Sequence, residues 1–353
     1  MSCNRSCGRS RLTPAPEAGP LVPHDAVGPA AREALAAHAG VIERPGLAVF
    51  RVVGGGRLTC LQGLVTCDVE QPGDGSHVFG ALLTVKGMIV SPLWITRLAD
   101  ALVIAVPADA AAAVAATFER SLPPRLCRWE DVTAASCPVG LYGPAAHRLL
   151  AAATDGEPPA ADRAGVLRHG TAAVIAARVT ARGLDGFDCM VPAGAAAAFV
   201  AVLLARGAVP LPPAALEERR ILAGFPRLGA EIDEKTLPQE VRFDELGGVS
   251  YTKGCYLGQE TVARVHFRGH ANRYLAGLAL EREPPALPSE IVHDGQPAGR
   301  LSSACWWDAR RAWVGLAVVR RGTAPGSAVT LTGGGAATVR DLPWEPAPPG
   351  AAP

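Results

Sequence analysis

The sequence carries almost no net charge, since 34 Lys and Arg residues stand against 33 Asp and Glu residues and leave a formal charge of +1 at pH 7. A chain with this balance has no broad electrostatic field that would attract the phosphates of a nucleic acid or an anionic membrane. Nucleic-acid binding would require a local basic patch. We therefore expect no direct nucleic-acid partner.

Long hydrophobic runs are missing as well. No stretch approaches the roughly 20 apolar residues of a membrane-spanning helix, and no apolar signal-peptide core stands near the N-terminus. These absences predict a soluble protein that is neither secreted nor bound to a membrane. We expect it in the cytoplasm and as a monomer.

Paired cysteine motifs are also absent. The nine cysteines are odd in number, widely spread and never form a C-x-x-C pair, which argues against a disulfide framework and for a reducing compartment. Cys3 and Cys7 are too few to complete a zinc or cluster site by themselves. We therefore predict no resident metal.

What the sequence does have is length. At 353 residues it exceeds the size at which one hydrophobic core stops growing, so several packed units are expected. The patterns along the chain predict a disordered tail, a first α/β unit, a second α/β unit, a unit of short strands and a final tail. The boundaries that we predict are 1–26, 27–136, 137–268, 269–345 and 346–353.

Local patterns predict both helices and strands within these units. Residues 30–38 have strong helix propensity, residues 47–53 have the β-branched content of a strand, and apolar residues from 58 to 69 mark one face of a helix. After residue 272 the pattern changes to short alternating strands separated by Gly and Pro, which predicts a small antiparallel barrel. The fold class is therefore α+β.

The most informative stretch is KGCYLGQE at 253–260, in which Gly254 and Gly258 flank a single cysteine. Good helix formers follow it, so Cys255 should stand just before a helix N-terminus. The partial positive charge of that terminus, together with Lys253, favours a thiolate, which is the form that attacks electrophiles and binds metals. Cys255 is thus the candidate functional thiolate, with Lys253 as its assistant.

A plainer alternative stays open on these residues alone. Cysteine often serves as a small buried filler. Accessibility and thiol acidity would distinguish the two roles, because a functional thiolate is accessible and more acidic than a free thiol. The cysteines that we expect to be structural are Cys60, Cys127, Cys137 and Cys189.

The run KGCYLGQETVARVHFRG at 253–269 resembles the signature of the YgfZ family of tetrahydrofolate-binding proteins, which are relatives of the glycine-cleavage T-protein, an aminomethyltransferase. The resemblance extends over residues 45–345. It implies a T-protein-like fold with two α/β units around a central folate cavity, followed by a C-terminal antiparallel β-barrel. The motif residues that it identifies around Cys255 are Gly254, Tyr256, Gly258, Gln259, Glu260 and Arg264.

Two further segments resemble parts of the folate site. Residues 58–69 are similar to a segment that lines the cavity, with Cys67 in place of the usual asparagine, and residues 181–192 are similar to one whose carboxylate reads the pterin ring. A carboxylate suits that task because it accepts hydrogen bonds from paired N–H donors. By pattern alone, Asp188 also fits a solvated aspartate beside a strand. The folate contacts that the resemblance implies are Leu64, Thr66, Asp68, Lys86 and Asp188.

The chain departs from the transferase pattern at two places. Ser91 and Pro92 follow the Lys86 turn where the T-protein has an acidic pair, and Leu216 stands where it has an arginine. A general acid or base needs a titratable group within hydrogen-bond reach, which neither Ser91 nor Pro92 provides near neutral pH. We therefore expect no classical aminomethyltransferase activity.

Taken together, the resemblance implies an accessory protein that binds tetrahydrofolate and supports iron–sulfur cluster assembly or repair. Through these clusters it would support enzymes such as the tRNA methylthiolation proteins. Its partners would be folate and the assembly or client proteins of the clusters. A folate-dependent aminomethyltransferase or demethylase is the alternative, and a folate-binding regulatory module with a structural cysteine is a third hypothesis.

Overall fold

The computed structural model describes residues 20–180 and 182–345 of the chain. The strands in this part are β1 (Leu21–Val22), β2 (Gly40–Glu43), β3 (Leu47–Val53), β4 (His77–Leu83), β5 (Ile89–Arg97), β6 (Ala101–Pro107), β7 (Arg128–Asp131), β8 (Ser136–Tyr142), β9 (Ala164–His169), β10 (Ala172–Val179), β11 (Gly186–Pro192), β12 (Val209–Pro210), β13 (Arg273–Leu280), β14 (Ser289–His293), β15 (Gln296–Trp307), β16 (Ala312–Arg320), β17 (Ala328–Leu331) and β18 (Ala336–Arg340). The helices are α1 (Pro29–Ala37), α2 (Arg57–Gln62), α3 (Ala111–Ser121), α4 (Ala146–Ala153), α5 (Ala196–Ala205), α6 (Pro213–Leu222) and α7 (Gln259–Arg268). None of the helices described here is long and apolar enough to cross a membrane.

The first α/β unit is built on an antiparallel sheet with the strand order β4-β5-β6-β3-β7. Its apolar, β-branched strands are buried, and Phe50 in β3 lies opposite Ile104 in β6. Helix α3 covers the sheet, where Phe118 packs edge-on against Phe50 with 5.7 Å between the ring centroids. Burial of such large side chains contributes about 1.5–3 kcal/mol each.

The helix predicted over residues 58–69 is shorter than expected, because α2 ends at Gln62. After it the backbone leaves the helical path, and the N–H of Thr66 donates to the carbonyl of Ala81 at 3.0 Å. Val65 and Leu82 form an isolated antiparallel bridge. Residues 65 and 66 thus join the sheet, and tertiary pairing overrides their helical apolar pattern.

The second unit has a six-stranded sheet with the order β12-β2-β8-β11-β10-β9. Strand β2 pairs with β8, so that Val41 lies opposite Leu141. Residues 40–43 therefore belong to the second sheet, although our predicted boundaries assigned them to the first unit. The buried residues of this core include Phe187 and Phe199.

The C-terminal unit is a closed antiparallel barrel, as predicted. Six strands follow each other in the order β15-β14-β17-β18-β13-β16, and β15 also pairs with β16, which closes the ring. Closure leaves no open edge in the barrel. Strand β18 was not predicted, because its short sequence AATVR lacks a strong alternating pattern.

The N-terminal tail that we predicted over residues 1–26 is ordered from residue 20 to residue 26. Strand β1 pairs in parallel with β15, with Leu21 opposite Ala304, and Val22 is buried. Two apolar residues between prolines are too short a signal to predict a strand. Residues 1–19 and 346–353, which we also predicted as tails, lie outside the described residues.

A buried charged network joins the second unit to the barrel. Arg220 in α6 donates to Glu217 at 2.6 and 2.9 Å, to Glu231 at 3.0 Å and to the Ser303 hydroxyl in β15 at 2.7 Å. Burial by itself would lower the pKa of Arg220, but the charges of Glu217 and Glu231 raise it above its ordinary value. The guanidinium stays charged and fixes α6 against the barrel.

Candidate functional site

Cys255 lies on the protein surface, in the loop that precedes α7. The seven cysteines of the described part are free, and Cys255 is the exposed one among them. Burial raises the pKa of Cys67 to about 12 and that of Cys127 to about 11, so these thiols stay protonated near neutral pH. Within the described residues no group of three or more His, Cys, Asp and Glu side chains is placed to hold a metal ion.

Two glycines allow the Cys255 loop to pack closely against the hairpin turn that joins β4 and β5. Gly258, the N-cap of α7, has φ 81°, and a Cβ atom there would lie 2.5 Å from the carbonyl oxygen of Thr84. Gly87 has φ 84°, and its Cβ would lie 3.0 Å from Cβ of Thr261. Any side chain at Gly258 would therefore meet both backbone strain and a steric clash. Gly254, in contrast, has no atom within 4 Å of its Cβ position.

Backbone hydrogen bonds attach the same loop to the first unit. Ser250 N–H donates to the Thr66 carbonyl at 2.9 Å, and Leu257 N–H donates to the Gly63 carbonyl at 3.0 Å. The loop, the 63–67 segment and the hairpin turn thus form one packed assembly. This assembly brings Leu64, Thr66 and the Lys86 turn close to the cysteine loop, which sequence distance alone would not suggest.

Lys253 lies within this assembly and connects the cysteine loop to the 63–67 segment by hydrogen bonds. Its ammonium donates to the carbonyls of Val65 and Cys67, each at 2.7 Å, and lies 5.2 Å from the ring centroid of Tyr256. Burial lowers the pKa of Lys253 to about 8. We expected this charge to assist the Cys255 thiolate, but the ammonium instead binds the backbone of the 65–67 segment.

The other motif residues divide into anchors and surface groups. Tyr256 is buried in a cluster with Val262, and its N–H donates to Oε1 of Gln259 at 3.4 Å. Glu260, in the first turn of α7, and Arg264 are exposed. Tyr256 and Gln259 therefore shape the loop, while Glu260 and Arg264 face solvent.

Of four predicted folate contacts, three pack or form hydrogen bonds within the protein, and the fourth is exposed. The Thr66 hydroxyl donates to the Gly248 carbonyl at 2.6 Å and accepts from Ala81 N–H at 2.8 Å, and Leu64 is part of the first core. Asp68 accepts from two backbone N–H groups and from Gln62, and Lys86 is exposed. None of the four lines the central cavity described next, so their role as folate contacts stays a prediction.

A cavity of about 810 Å³ opens between the two α/β units and α6. Four arginines, three carboxylates and two aromatic rings are among its lining residues. They are Arg44, Arg182, Arg220, Arg227, Glu43, Asp109, Glu217, Trp94 and Phe225, and Pro92 and Leu216, the departures from the transferase noted above, also line it. The guanidinium of Arg182 lies over the ring of Trp94, 4.9 Å from the centroid. The wall thus combines charged donors with flat apolar surface, as small-molecule sites commonly do.

Asp188 forms ion pairs with two of the lining arginines, Arg44 and Arg182. Its Oδ1 accepts from Arg44 at 2.9 Å and from the Tyr142 hydroxyl, and its Oδ2 accepts from Arg182 at 2.7 Å. Burial by itself would raise the pKa of Asp188, but the charges of Arg182 and Arg44 outweigh burial and lower the pKa well below its ordinary value. The carboxylate is buried and ion-paired, so it is not the solvated turn aspartate of the plainer hypothesis.

Sequence reasoning did not identify Arg44, His77, Trp94 or Arg182 as members of this site. Arg182 is buried with a left-handed backbone (φ 61°), which a residue other than glycine rarely adopts. His77 Nδ1 lies 2.9 Å from the Thr96 hydroxyl, and burial lowers the pKa of His77 to about 4. Arg182 stands six residues before Asp188, but Arg44, His77 and Trp94 approach the site only through the packing of two sheets.

Packed aromatic rings connect the cavity wall to the base of the cysteine loop. Phe79 lies 5.5 Å from Trp94 and 4.8 Å from Phe243, measured between ring centroids. Phe243 belongs to the same buried cluster as Tyr256. Cavity and loop are therefore separate surfaces of one continuous core.

Comparison with known proteins matches residues 25–246 of the chain to the family described as GCVT N-terminal domain. The solved glycine cleavage system aminomethyltransferase T from Bartonella henselae has the same fold, with a TM-score of 0.77, 21% sequence identity and coverage of 88% of this chain and 87% of that chain. The T-protein-like architecture predicted from the sequence is thereby confirmed.

Curated relatives match over different lengths. An aminomethyltransferase of Synechococcus sp. is 28% identical over 80% of this chain and 79% of its own length. A putative chloroplastic transferase of Arabidopsis thaliana is 32% identical over 45% of this chain, and the match spans 37% of that protein. The tRNA-modifying protein YgfZ of Colwellia psychrerythraea is 40% identical over 72 residues, which are 20% of this chain and 22% of that protein.

The matched domain covers more than half of the chain, and matches at 37–43% identity to YgfZ proteins recur in several bacteria. The YgfZ matches cover 20–27% of the chain and show similarity over those stretches, whereas the domain match shows that the chain belongs to the GCVT N-terminal domain family.

Proposed function

We propose that this protein binds tetrahydrofolate in its central cavity and supports the assembly or repair of iron–sulfur clusters through Cys255. It would be an accessory factor for cluster-dependent enzymes, among them those that methylthiolate tRNA. The observation that supports this most is a large cavity with Arg44 and Arg182 among its lining residues, combined with an exposed thiol on a separate loop. The similarity of part of the chain to the tRNA-modifying protein YgfZ agrees with the proposal.

The cavity suits a folate in size and in chemistry. Its volume of about 810 Å³ lies within the ~300–1,000 Å³ that is common for ligand pockets. Arg44 and Arg182 offer donors for carboxylate and carbonyl oxygens, and Trp94 offers a flat apolar ring. Bound tetrahydrofolate would supply a carrier for one-carbon groups at this site.

Two unpaired polar atoms, one in Arg182 and one in His77, also support the binding of a ligand at this site. Nε of Arg182 and Nε2 of His77 are shielded from solvent and have no hydrogen-bond partner within the described residues. Buried polar atoms in native proteins are nearly always paired, so an unpaired one indicates a bound water, ion or ligand. We propose that folate, or water ordered by folate, completes these hydrogen bonds.

Asp188 acts in this proposal as a positioning residue. Because both of its oxygens already accept hydrogen bonds from protein donors, its carboxylate orients Arg44 and Arg182 toward the cavity. Direct contact between Asp188 and the pterin would require those donors to be displaced. We therefore propose that Asp188 acts on the pterin through the two arginines, whereas the resemblance implies direct contact.

Isothermal titration calorimetry with tetrahydrofolate tests the folate part of the proposal. The parent protein should give saturable binding, and Arg182→Lys should weaken it about tenfold, because lysine lacks the planar fork of the guanidinium. Arg120→Lys is the matched control: Arg120 is exposed and lies outside the cavity, so folate binding by this variant should equal that of the parent. The intact protein failing to bind tetrahydrofolate would reject this part of the proposal.

A folate-dependent aminomethyltransferase or demethylase is the second candidate, supported by the broad match to an aminomethyltransferase. The cavity wall near β5 argues against this candidate, because it offers no acidic pair there. The Ser91 hydroxyl donates to the Pro92 carbonyl at 2.6 Å, and Pro92 lines the cavity. Loss of a general acid or base typically costs a factor of about 10²–10⁴. We expect no ammonia release from an aminomethylated lipoyl carrier with tetrahydrofolate, and robust release would favour this second candidate.

We further propose that the protein works in the cytoplasm as a monomer, without direct contact to nucleic acid. The free state of the seven described cysteines suits a reducing compartment. The third hypothesis, a regulatory folate module with a structural cysteine, predicts that Cys255 can be replaced without loss of function.

A further inference from the structure

The surface beside the Cys255 loop carries unusually exposed apolar side chains. Val85, on the clamped hairpin turn, is 74% exposed, and Phe267, in the last turn of α7, is 66% exposed. Phe267 reaches the loop through Tyr251, with 5.6 Å between their ring centroids. The other exposed large hydrophobic residues of the described part lie on other elements, and they are Leu126, Val166 and Leu204.

The aromatic group that contains Phe267 is held rigidly. Tyr251 and His266 stack with their ring centroids 3.7 Å apart and their planes inclined by 20°. Asp244 accepts from the Tyr251 hydroxyl at 2.7 Å and lies 3.2 Å from Nδ1 of His266, and Gln239 donates to Tyr251 at 3.0 Å. A rigid aromatic group loses little conformational entropy when a partner covers it, which is typical of the anchors of protein interfaces.

Positive charge surrounds these apolar groups. Lys86, Arg264 and Arg268 are exposed, and they form no ion pair with any residue that the structure describes. Glu260 is an exposed acidic residue on α7. The surface is thus locally cationic on a chain whose net charge is only +1, and a local concentration of charge of this kind favours a partner of the opposite sign.

We propose that this α7 surface, made of Val85, Lys86, Arg264, Phe267 and Arg268, is a docking site for an acidic protein that carries a thiolate-held iron–sulfur cluster. The proposal rests on the function proposed above and adds the chemistry of the partner. Clusters held by cysteine thiolates carry net negative charge, so a cationic rim beside Cys255 complements the cluster and the acidic surface around it. Phe267 and Val85 supply the apolar contacts, and the charges guide the approach.

Two double variants and two matched controls test this docking site. Arg264→Glu with Arg268→Glu reverses the charge, and Val85→Ala with Phe267→Ala removes the apolar contacts. Arg120→Glu lies in the last turn of another helix, as Arg268 does, and Val166→Ala removes an exposed valine elsewhere. Each protein is titrated with a purified acidic [4Fe–4S] ferredoxin and with a single-stranded RNA oligonucleotide, at low and at high salt.

We expect the parent and both controls to bind the ferredoxin more weakly as salt rises. Each double variant should bind it about tenfold or more weakly than the parent at low salt. In cells that lack their own copy, the double variants should also support cluster-dependent enzymes less well than the controls do. The thermal midpoints should agree among all proteins, because the altered side chains are exposed.

Three results would overturn the docking site. They are the absence of ferredoxin binding by the parent, equal binding by the parent and the double variants, and binding of RNA but not of ferredoxin through the same residues. Cys255→Ser separates this failure from failure of the proposed function. If Cys255→Ser loses cluster support while the double variants keep it, the proposed function stands and the docking site falls. If Cys255→Ser keeps full support, the proposed function itself fails.

Discussion

The central cavity and the Cys255 loop are built by opposite means. The cavity wall depends on buried charges, since Asp188 pairs with Arg44 and Arg182 from different segments of the chain. The loop depends on glycines and backbone hydrogen bonds within one contiguous motif and its two supporting segments. A site made from buried ion pairs tolerates substitution poorly, because removal of one partner leaves an unpaired charge. An exposed thiol on a clamped loop can change chemically with little effect on folding.

Cys255→Ser is the sharpest test of this contrast and has the largest expected effect. Support of cluster-dependent enzymes should be abolished in cells that lack their own copy, while the thermal midpoint stays that of the parent, because Cys255 is exposed. Activity of those enzymes and a melting curve are the two measurements. Cys60→Ser, which changes a half-buried cysteine in α2, should retain support, and equal loss in both variants would contradict a specific role of Cys255.

Asp188→Ala should show the opposite behaviour, with a large effect on stability. It leaves two guanidinium groups near the cavity without their counter-charge, which typically costs about 3–5 kcal/mol in the free energy of unfolding. Urea unfolding measures this cost, and calorimetry should show weakened tetrahydrofolate binding by the protein that remains folded. An Asp188→Ala protein as stable as its parent would contradict the positioning role.

The lowered pKa of Asp188 adds a pH dependence. Its folded-state pKa lies below its unfolded value, so the carboxylate contributes stability that is fully present above the unfolded pKa, which is about 3.9, and is lost as pH falls through the folded value. The stability difference between the parent and Asp188→Ala should therefore shrink as the pH falls below about 4.

Gly258→Ala tests the clamp with an intermediate effect. Alanine at φ 81°, with its Cβ 2.5 Å from the Thr84 carbonyl oxygen, should cost about 1–3 kcal/mol in the free energy of unfolding. Gly254→Ala is the matched control within the same motif, because its added Cβ meets no atom within 4 Å. Denaturant unfolding measures the free energy of unfolding of both variants. Equal stability of the two would show that the close packing at Gly258 does not contribute to stability.

Replacement of Lys253 should have an effect that appears only as a function of pH. Because burial lowers its folded pKa to about 8, below the unfolded value of about 10.4, the unfolded state binds more protons between these values and stability rises with pH there. The parent should therefore gain stability relative to Lys253→Met as the pH rises from 8 to 10. A difference that is constant over this range would indicate an ordinary, solvated lysine.

The sequence by itself determined the features that depend on contiguous residues. Strand β3 follows from the β-branched run of residues 47–53, and the barrel follows from short alternating segments after residue 272. The position of Cys255 before α7 follows from its flanking glycines and the helix formers behind them. Each of these results from local periodicity or backbone freedom, which a short window of sequence contains.

Only the tertiary structure decided which distant groups meet. It placed β2 in the second sheet and β1 on the barrel, since strand pairing selects partners across the whole chain. It also directed the Lys253 ammonium to the carbonyls of Val65 and Cys67, and it surrounded Asp188 with donors from β8 and two loops. Buried charges take whichever counter-charges packing brings within reach, and that information is not present in any local pattern of residues.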